Sequence, residues 1–132
     1  MNHSTFKTLA LYSIAVGTSI VLLFFVVLCS WIGYEVNSQC KKAQLTHTGT
    51  CIEALTEVVK DDNASFSDRN SAIWSLGQLG DARALPVLLK YYTGNIPSRE
   101  PLNKTISQYE LKKAIALAKG GLNLSAFIWR SK

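Results

Sequence analysis

The chain has 132 residues, enough for one modest domain, and its 14 lysine and arginine residues outnumber 9 acidic ones for a net charge of +5. Its 2 histidines and 3 cysteines have no metal-ligand or nucleophile spacing, so we expect no metal site, no cofactor and no enzymatic activity. Because no nucleic-acid-binding motif accompanies the basic charge, we also expect no nucleic-acid partner.

The first predicted element is a transmembrane helix over residues 9–34, preceded by an N-terminal tail over residues 1–8. The run 9–34 carries no charged side chain and exceeds the about 20 apolar residues that cross a bilayer. Trp31 and Tyr34 at its end have the character of interfacial aromatics. The alternative is a cleavable signal peptide, whose apolar part is about 7–15 residues long and ends in a small-residue site that this run lacks. The sequence therefore predicts an uncleaved single-pass anchor in the cell (inner or plasma) membrane.

Small residues recur at four-residue intervals within this predicted span. Ser13 pairs with Gly17, and Ala15 pairs with Ser19. This spacing allows a second membrane helix to approach closely, although small residues are common in membrane helices. The four residues are therefore candidates for packing within the membrane.

The polar segment 35–49 is predicted to be a tether between the span and a folded domain. Cys40 and Cys51 lie just beyond the span and can close a short disulfide loop, which implies an oxidising compartment. The alternative is two free thiols in the cytoplasm. The charges that flank the span are nearly balanced and slightly favour a cytoplasmic C-terminal part. The cysteine pair favours a C-terminal domain on the extracytoplasmic side.

Four amphipathic helices are predicted within a domain over residues 50–121. They cover residues 51–60, 68–79, 82–92 and 108–119. Capping-box patterns that start at Thr50 and Ser107 begin the first and fourth helices. Ser67 is expected to cap the second helix, and Gly80 to end it in a left-handed conformation. The segment 93–104, rich in glycine and proline, is predicted to be a loop.

The segment 69–92 carries the most specific pattern of the chain. It reads RNSAIWSLGQLGDARALPVLLKYY, in which two helical patterns meet at a Leu-Gly-x-Leu-Gly-Asp corner. It resembles HEAT-like repeats of the phycobilisome-lyase type, in which antiparallel helix pairs stack into a solenoid. A faint internal repeat, in which residues 54–60 align with residues 84–90, agrees with this resemblance. The resemblance implies an all-α fold, with the transmembrane helix followed by a short HEAT-like α-solenoid of about four helices. In it, the first of these four helices would lack a partner.

Such repeats present surfaces to other macromolecules, so partner-binding residues are expected on the exposed faces of the helices. Trp74 shares a helix face with polar Asn70 and Gln78, which makes it a candidate anchor, whereas packing on a neighbouring helix is the alternative. The third helix is predicted to turn Leu85, Leu88, Leu89 and Tyr92 inward. Its predicted outward stripe holds Arg83, Val87 and Lys90.

The remaining candidates lie in the basic C-terminal part of the chain. Lys112 and Lys119 are expected on the fourth helix, where they contact a partner or form a solvated basic face. Trp129 belongs to an aromatic cluster in the tail over residues 122–132. This cluster enters the lipid headgroup region, binds a partner, or folds back onto the fourth helix, the last of which we favour.

These features predict a single-pass membrane protein whose helical-repeat domain is a protein–protein interaction adaptor or scaffold. Its expected partners are the lipid bilayer and one or more membrane-associated proteins. An accessory structural subunit of a larger membrane complex is the alternative. A lyase-like or chromophore-handling enzyme, suggested by relatives of the repeat class, is a third interpretation, for which the sequence supplies no catalytic residue.

Overall fold

The structure, a computed structural model, describes residues 3–130, so Met1, Asn2, Ser131 and Lys132 of the two predicted tails lie outside the described residues. The described residues contain six α-helices, one short 3₁₀ helix and no strand, which confirms the predicted all-α fold. The helices are α1 (His3–Thr46), α2 (Cys51–Lys60), α3 (Phe66–Leu79), α4 (Leu85–Tyr91), α5 (Gln108–Ala118) and α6 (Ala126–Trp129), and the 3₁₀ helix (Ala82–Ala84) precedes α4.

Helix α1 is 44 residues long, and its two halves have different surroundings. Between residues 4 and 28, every side chain except the partly covered Ala10 is exposed. From Cys29 onward one side of the helix is buried, through Cys29, Val36, Cys40 and Ala43, which recur at helical spacing. The helix is long and apolar enough to cross a membrane, a property that an N-terminal signal sequence would share.

The predicted tether over residues 35–49 is not a separate linker, because α1 continues without a break to Thr46 and packs there on the domain. The predicted tail over residues 1–8 is likewise helical from His3. The tether has a polar composition, yet Val36, Cys40 and Ala43 form a narrow apolar stripe that joins the hydrophobic core. Three buried residues in 15 do not stand out in composition, but they are enough to hold this part of the helix against the domain.

The first helix of the domain, α2, is not the unpartnered helix that the sequence suggested, because the second half of α1 packs against it. Helix α3 also contacts α1: Lys42 pairs with Asp68 near the start of α3, and Leu79 at its end lines a cleft with Gly33. Helix α3 therefore runs antiparallel to α1. Helix α5 packs along α3, and α2 contacts α4, so α1, α3 and α5 follow one another in one layer with α2 and α4 in a second.

A disulfide and two sets of hydrogen bonds hold the corner between α1 and α2. Cys40 and Cys51 are joined by a disulfide, with their Cα atoms 5.0 Å apart. The side chain of Gln44 donates from Nε2 to the carbonyl of Gly49 at 3.0 Å. The predicted capping box of Thr50 is present, and its backbone hydrogen bond to Glu53 lowers the pKa of that carboxyl group. The direction in which α2 leaves α1 is therefore tightly specified.

The face that α4 turns inward differs from the predicted one by one residue. Ala84, Val87 and Leu88 are buried, whereas Leu89, predicted to point inward, is 47% exposed. Val87 is 8% exposed, so its predicted outward position is wrong. Nearly every residue from 84 to 89 is apolar, so periodicity fits either face. The 3₁₀ turn before α4, which has fewer residues per turn than an α-helix, sets Ala84 in the core and decides the rotation.

The C-terminal segment folds back chiefly onto α1, and the preferred prediction that it would cover the fourth helix, α5, is wrong. A Cβ atom added to Gly33 of α1 would lie 2.5 Å from the Cβ atom of Trp129, so the two helices touch at this glycine. The guanidinium group of Arg130 donates to the carbonyl of Gln78 near the end of α3. This return is possible because α5 ends beside the last turn of α3, and α3 ends close to Gly33 of α1.

Candidate interaction surface

The indole of Trp74 lies in a groove across the layer of α1, α3 and α5, which we call the Trp74 groove. Its volume is about 340 Å³. Its walls come from three helices and the loop before α5: they consist of Glu35, Gln39, Ser67, Asn70, Ser71, Trp74, Leu102 and Glu110. The surface is therefore built from parts of the chain that are distant in sequence, and it exists only because the second half of α1 belongs to the domain.

Trp74 packs against the core on one side and borders open space on the other, so the predicted packing on a neighbouring helix is present and partner binding stays a prediction. Its side chain is half-buried and packs against the hydrophobic core, as a neighbouring-helix contact requires. On the side of α5 it borders a small niche that Gly77 and Ala114 also line. On the other side it faces the open groove. The core contacts thus hold one part of the indole in place, so that the remainder is presented in a fixed orientation.

The charged side chains that line the groove are both acidic. Glu35 accepts a hydrogen bond from Nε2 of Gln39 at 2.8 Å, and Glu110 accepts one from Nζ of Lys113 at 2.7 Å. These two carboxylates stand on α1 and α5, on opposite sides of Trp74. A cation can stack on an indole face while it pairs with a carboxylate. The groove therefore suits a basic side chain with a flat or apolar stem, above all arginine.

Asn70 fixes the loop wall of the groove. Its Nδ2 atom donates to the carbonyls of Leu102 and Thr105, each at 2.8 Å, and its Oδ1 atom accepts from the backbone N–H of Ser107 at 2.8 Å. The side chain is almost fully buried, and all its hydrogen-bonding groups but one lone pair are engaged. Asn70 was assigned to a polar outer face in the sequence, but the loop covers it.

Replacing Asn70 with alanine is expected to lower the free energy of unfolding by about 2–3 kcal/mol, because three hydrogen bonds are lost and the buried N–H of Ser107 is left unpaired. The measurement is chemical denaturation in mild detergent, followed by circular dichroism. Replacing the neighbouring Ser71 with alanine is the matched control and should change stability by less than about 0.5 kcal/mol. Equal stabilities of the two variants would contradict this role for Asn70.

The loop also caps α5 through Glu100. This carboxylate accepts hydrogen bonds from the hydroxyl of Ser107 at 2.5 Å and from the backbone N–H groups of Gln108 at 2.7 Å and Tyr109 at 3.2 Å. Burial acts to raise the pKa of Glu100, but the three hydrogen bonds together lower it below its ordinary value. Sequence reasoning missed this residue, since a cap that reaches back from a loop has no fixed spacing.

The other predicted partner-binding residues do not converge on this groove. Arg83 is exposed and pairs with Asp81 at 2.7 Å, and Nζ of Lys90 lies 5.6 Å from the ring centre of Tyr91. Lys112 is exposed on α5, and Lys119 is exposed directly after the helix ends. Val87 is buried in α4, and Trp129 packs on α1. Of the seven predicted residues, only Trp74 lines the groove.

The small residues of the predicted span lie on the part of α1 that has no buried face. Ser13, Ala15, Gly17 and Ser19 are all exposed, and the hydroxyl of Ser19 donates to the carbonyl of Ala15 at 2.9 Å. A Cβ atom added to Gly17 would meet no atom within 4 Å. The face that carries Ser13 and Gly17 and the face that carries Ala15 and Ser19 are thus both open to another helix. Among residues 3–130, no group of three or more histidine, cysteine or acidic side chains is arranged to hold a metal ion.

Comparison with known proteins gives one match, to part of the chain. Residues 68–93 match the family described as PBS lyase HEAT-like repeat. They comprise most of α3, the 3₁₀ helix and α4, which form one helix pair joined at Gly80. The predicted HEAT-like repeat is therefore supported at this pair. No curated protein and no solved structure matches the chain.

Proposed function

We propose that this chain is a single-pass membrane protein whose HEAT-like helical domain is a non-enzymatic adaptor or scaffold that binds another protein in the Trp74 groove. The observation that carries the proposal is the division of α1. Its first half is an apolar rod with no buried face. Its second half packs into the domain, in the same layer as α3 and α5. One continuous helix therefore links a candidate membrane span to a folded surface, and such a link serves to hold a binding site beside a membrane.

The side chains of the groove indicate which kind of partner segment it would bind. The indole of Trp74 supplies apolar area, Glu35 supplies a negative charge on one side of it, and Glu110, paired with Lys113, supplies a second carboxylate on the other. Aromatic residues are frequent anchors of protein interfaces. The proposed partner is therefore a membrane-associated protein that presents a segment with an arginine or lysine to this groove.

The disulfide supports an extracytoplasmic placement of the domain, at the inner or plasma membrane. Disulfides persist in oxidising compartments and are rare in the cytosol. Cys40 and Cys51 are close enough to be joined in the folded chain. We therefore propose that the N-terminus faces the cytoplasm.

Site-specific photocrosslinking in native membranes tests the proposed adaptor role. A photoreactive residue at position 71, in the groove, is expected to give a discrete adduct with one protein, whereas the same residue at exposed position 57 on α2 should not. The charge reversals Glu35→Lys and Glu110→Lys should each diminish the adduct because they remove the attraction for a basic segment. Adducts that are absent, or equal from both positions, would refute the proposal.

A second candidate, an accessory structural subunit of a larger membrane complex, is favoured by the open small-residue face around Gly17. Small residues let membrane helices pack closely, so this face fits a permanent neighbour in the bilayer. Purification in mild detergent separates the two functions. A subunit should co-purify with its complex at fixed stoichiometry, and Gly17→Leu should weaken that association. A freely diffusing monomer would favour the adaptor.

A further inference from the structure

One end of the domain lies against α1 near Gly33, beside the end of the apolar run of this helix. Helix α3 finishes at this end, where Leu79 lines a cleft with Gly33 of α1. Helix α5 runs parallel to α3: it begins beside Asn70, and Ala114 in its second half lies against Gly77. The chain that leaves α5 therefore also emerges at this end. We call it the proximal end of the domain.

The C-terminal segment 120–130 covers the proximal end and reaches the apolar rod itself. Its helix α6 packs on α1 at Gly33, and burial of α1 begins one turn earlier, at Cys29, which is 2% exposed. The exposure of α1 already falls from 66% at Phe24 to 42% at Phe25 and 43% at Leu28. The segment thus stands beside the last turns of the run that is long and apolar enough to span a bilayer.

This segment exposes large apolar side chains where a soluble domain would carry polar ones. Leu122 is 76% exposed, Leu124 59% and Phe127 74%. Trp31 and Tyr34 are also strongly exposed at the same level of α1. Tryptophan and tyrosine are enriched where a membrane meets water. Five exposed apolar or aromatic side chains therefore lie around the end of the apolar run of α1.

The charge of this part of the chain suits the same environment. The segment itself carries no acidic residue; Lys119 precedes it and Arg130 ends it. Lys119, directly before the segment, is exposed. Basic side chains near an anionic membrane surface each contribute about 1 kcal/mol of attraction. An apolar segment that is flanked by basic residues is the pattern of interfacial membrane binding.

We propose that the segment 120–130 is a second membrane contact, with Leu122, Leu124 and Phe127 inserted into the headgroup region of the bilayer that α1 crosses. This proposal rests on the membrane anchor of the proposed function. Two contacts, α1 and this segment, fix the tilt of the domain on the membrane. Glu35 and Gln39 follow Gly33 within two helical turns, so the α1 wall of the Trp74 groove is held within about 10 Å of the level of Gly33 at 1.5 Å per residue. Its partner must therefore present a membrane-proximal segment.

The test uses the full chain, reconstituted into vesicles of phosphatidylcholine and phosphatidylglycerol. The substitution Cys29→Ala removes the free thiol and leaves the disulfide in place. Single cysteines introduced by Phe127→Cys, Val21→Cys or Tyr109→Cys then carry an environment-sensitive fluorophore. Quenching by aqueous iodide and by a lipid-attached quencher reports the surroundings of each label. Position 109 is exposed at the far end of α5 and is the control for a label in water.

The label at position 127 is expected to lose most of the iodide quenching seen at position 109 and to be quenched by the lipid-attached group. The variant Gly33→Leu should restore iodide quenching at position 127, because its side chain displaces Trp129 and α6 from α1. Equal quenching at positions 127 and 109 would overturn the proposal.

The label at position 21 distinguishes failure of the second membrane contact from failure of the membrane anchor itself. If position 21 is shielded in lipid while position 127 is in water, only the second contact is refuted. If position 21 is itself quenched by iodide, the membrane anchor fails, and the second contact fails with it.

Discussion

Replacing Gly77 with leucine is expected to lower the free energy of unfolding by about 4 kcal/mol, the largest effect of a single side chain that we predict. Gly77 lies in α3 at its closest approach to α5. A Cβ atom added there would lie 2.7 Å from the Cα atom and 2.9 Å from the Cβ atom of Ala114. Because the clashing atoms belong to the backbone and to a rigid methyl group, α5 must move away from α3 as a whole.

The helical propensity of the new residue opposes this loss of stability. A net loss therefore shows that the clash outweighs the gain in propensity. Leucine and alanine are each favoured over glycine within a helix by up to about 1 kcal/mol. In Gly77→Ala this gain offsets part of the clash, so its loss should be clearly smaller than that of Gly77→Leu. Ala116→Leu, on an exposed position of α5, is the control for added bulk and should be nearly neutral. Denaturation followed by circular dichroism measures all three. A Gly77→Leu variant as stable as the parent would show that the two helices do not meet at this glycine.

The local signals at helix ends were predictable because they depend on neighbouring residues. Gly80 ends α3 with a φ of 62°, as expected from the Leu-Gly-Asp corner. Thr50 and Ser107 cap α2 and α5 as predicted. The prediction for α3 was two residues late, since Ser65, and not Ser67, accepts the capping hydrogen bond from Asp68. Both serines precede the apolar stripe, and only the fold decides which of them turns toward the N–H group.

Features that depend on distant segments were not predictable in the same way. Asn70 is buried by a loop 32–37 residues later in the chain. The hydrogen bond between Asn70 and the backbone N–H of Ser107 explains why the capping box predicted at Ser107 is only half formed. The N–H of Ser107 donates to Asn70, and the side chain of Glu110 pairs with Lys113 instead of returning to the cap.

Arg69 is a further case of a role that its sequence neighbours do not reveal. It is almost fully buried, its Nε atom donates to the carbonyl of Val59 at 2.9 Å, and its guanidinium lies 5.4 Å from the ring centre of Tyr91. It therefore joins the end of α2 to α3 and α4. Its pairing with Asp62, at 3.1 Å, adds little because Asp62 is open to solvent. From the sequence alone, an arginine is interpreted as a surface charge, because its partners in the fold are not known.

The Trp74 groove could be anticipated only in part. The tryptophan itself was recognisable as an aromatic residue on a polar helix face. Its walls were not, because α1 was expected to end at residue 34, and Glu35 and Gln39 were assigned to a tether. A membrane segment is recognised by its composition, and the composition changes at residue 35 although the helix does not end there. The error in the tether therefore also hid the groove.

Replacing Cys40 and Cys51 together with alanine is expected to lower the free energy of unfolding by about 3 kcal/mol. The disulfide joins residues 11 apart, and a cross-link that closes a loop of this size restricts the unfolded chain by roughly that amount. Alanine is preferred to serine because Cys40 is buried and a hydroxyl group there would need a partner. Cys29→Ala is the matched control. It removes a buried thiol that forms no disulfide and should cost about 1 kcal/mol.

Reduction of the parent chain and thiol labelling in native membranes decide whether the disulfide forms where the protein resides. The parent chain, treated with a reductant, should unfold at the denaturant concentration of the double variant, while the reductant should leave the double variant unchanged. A thiol reagent applied to native membranes should label neither Cys40 nor Cys51 until the reductant is added. If both thiols are labelled at once, the bond is absent in the native membrane, and the proposed extracytoplasmic placement loses its support. The corner between α1 and α2 would then rest on the Thr50 cap and the Gln44 hydrogen bond alone. In that case the domain would have the stability of the double variant, because its position on α1 depends on this corner.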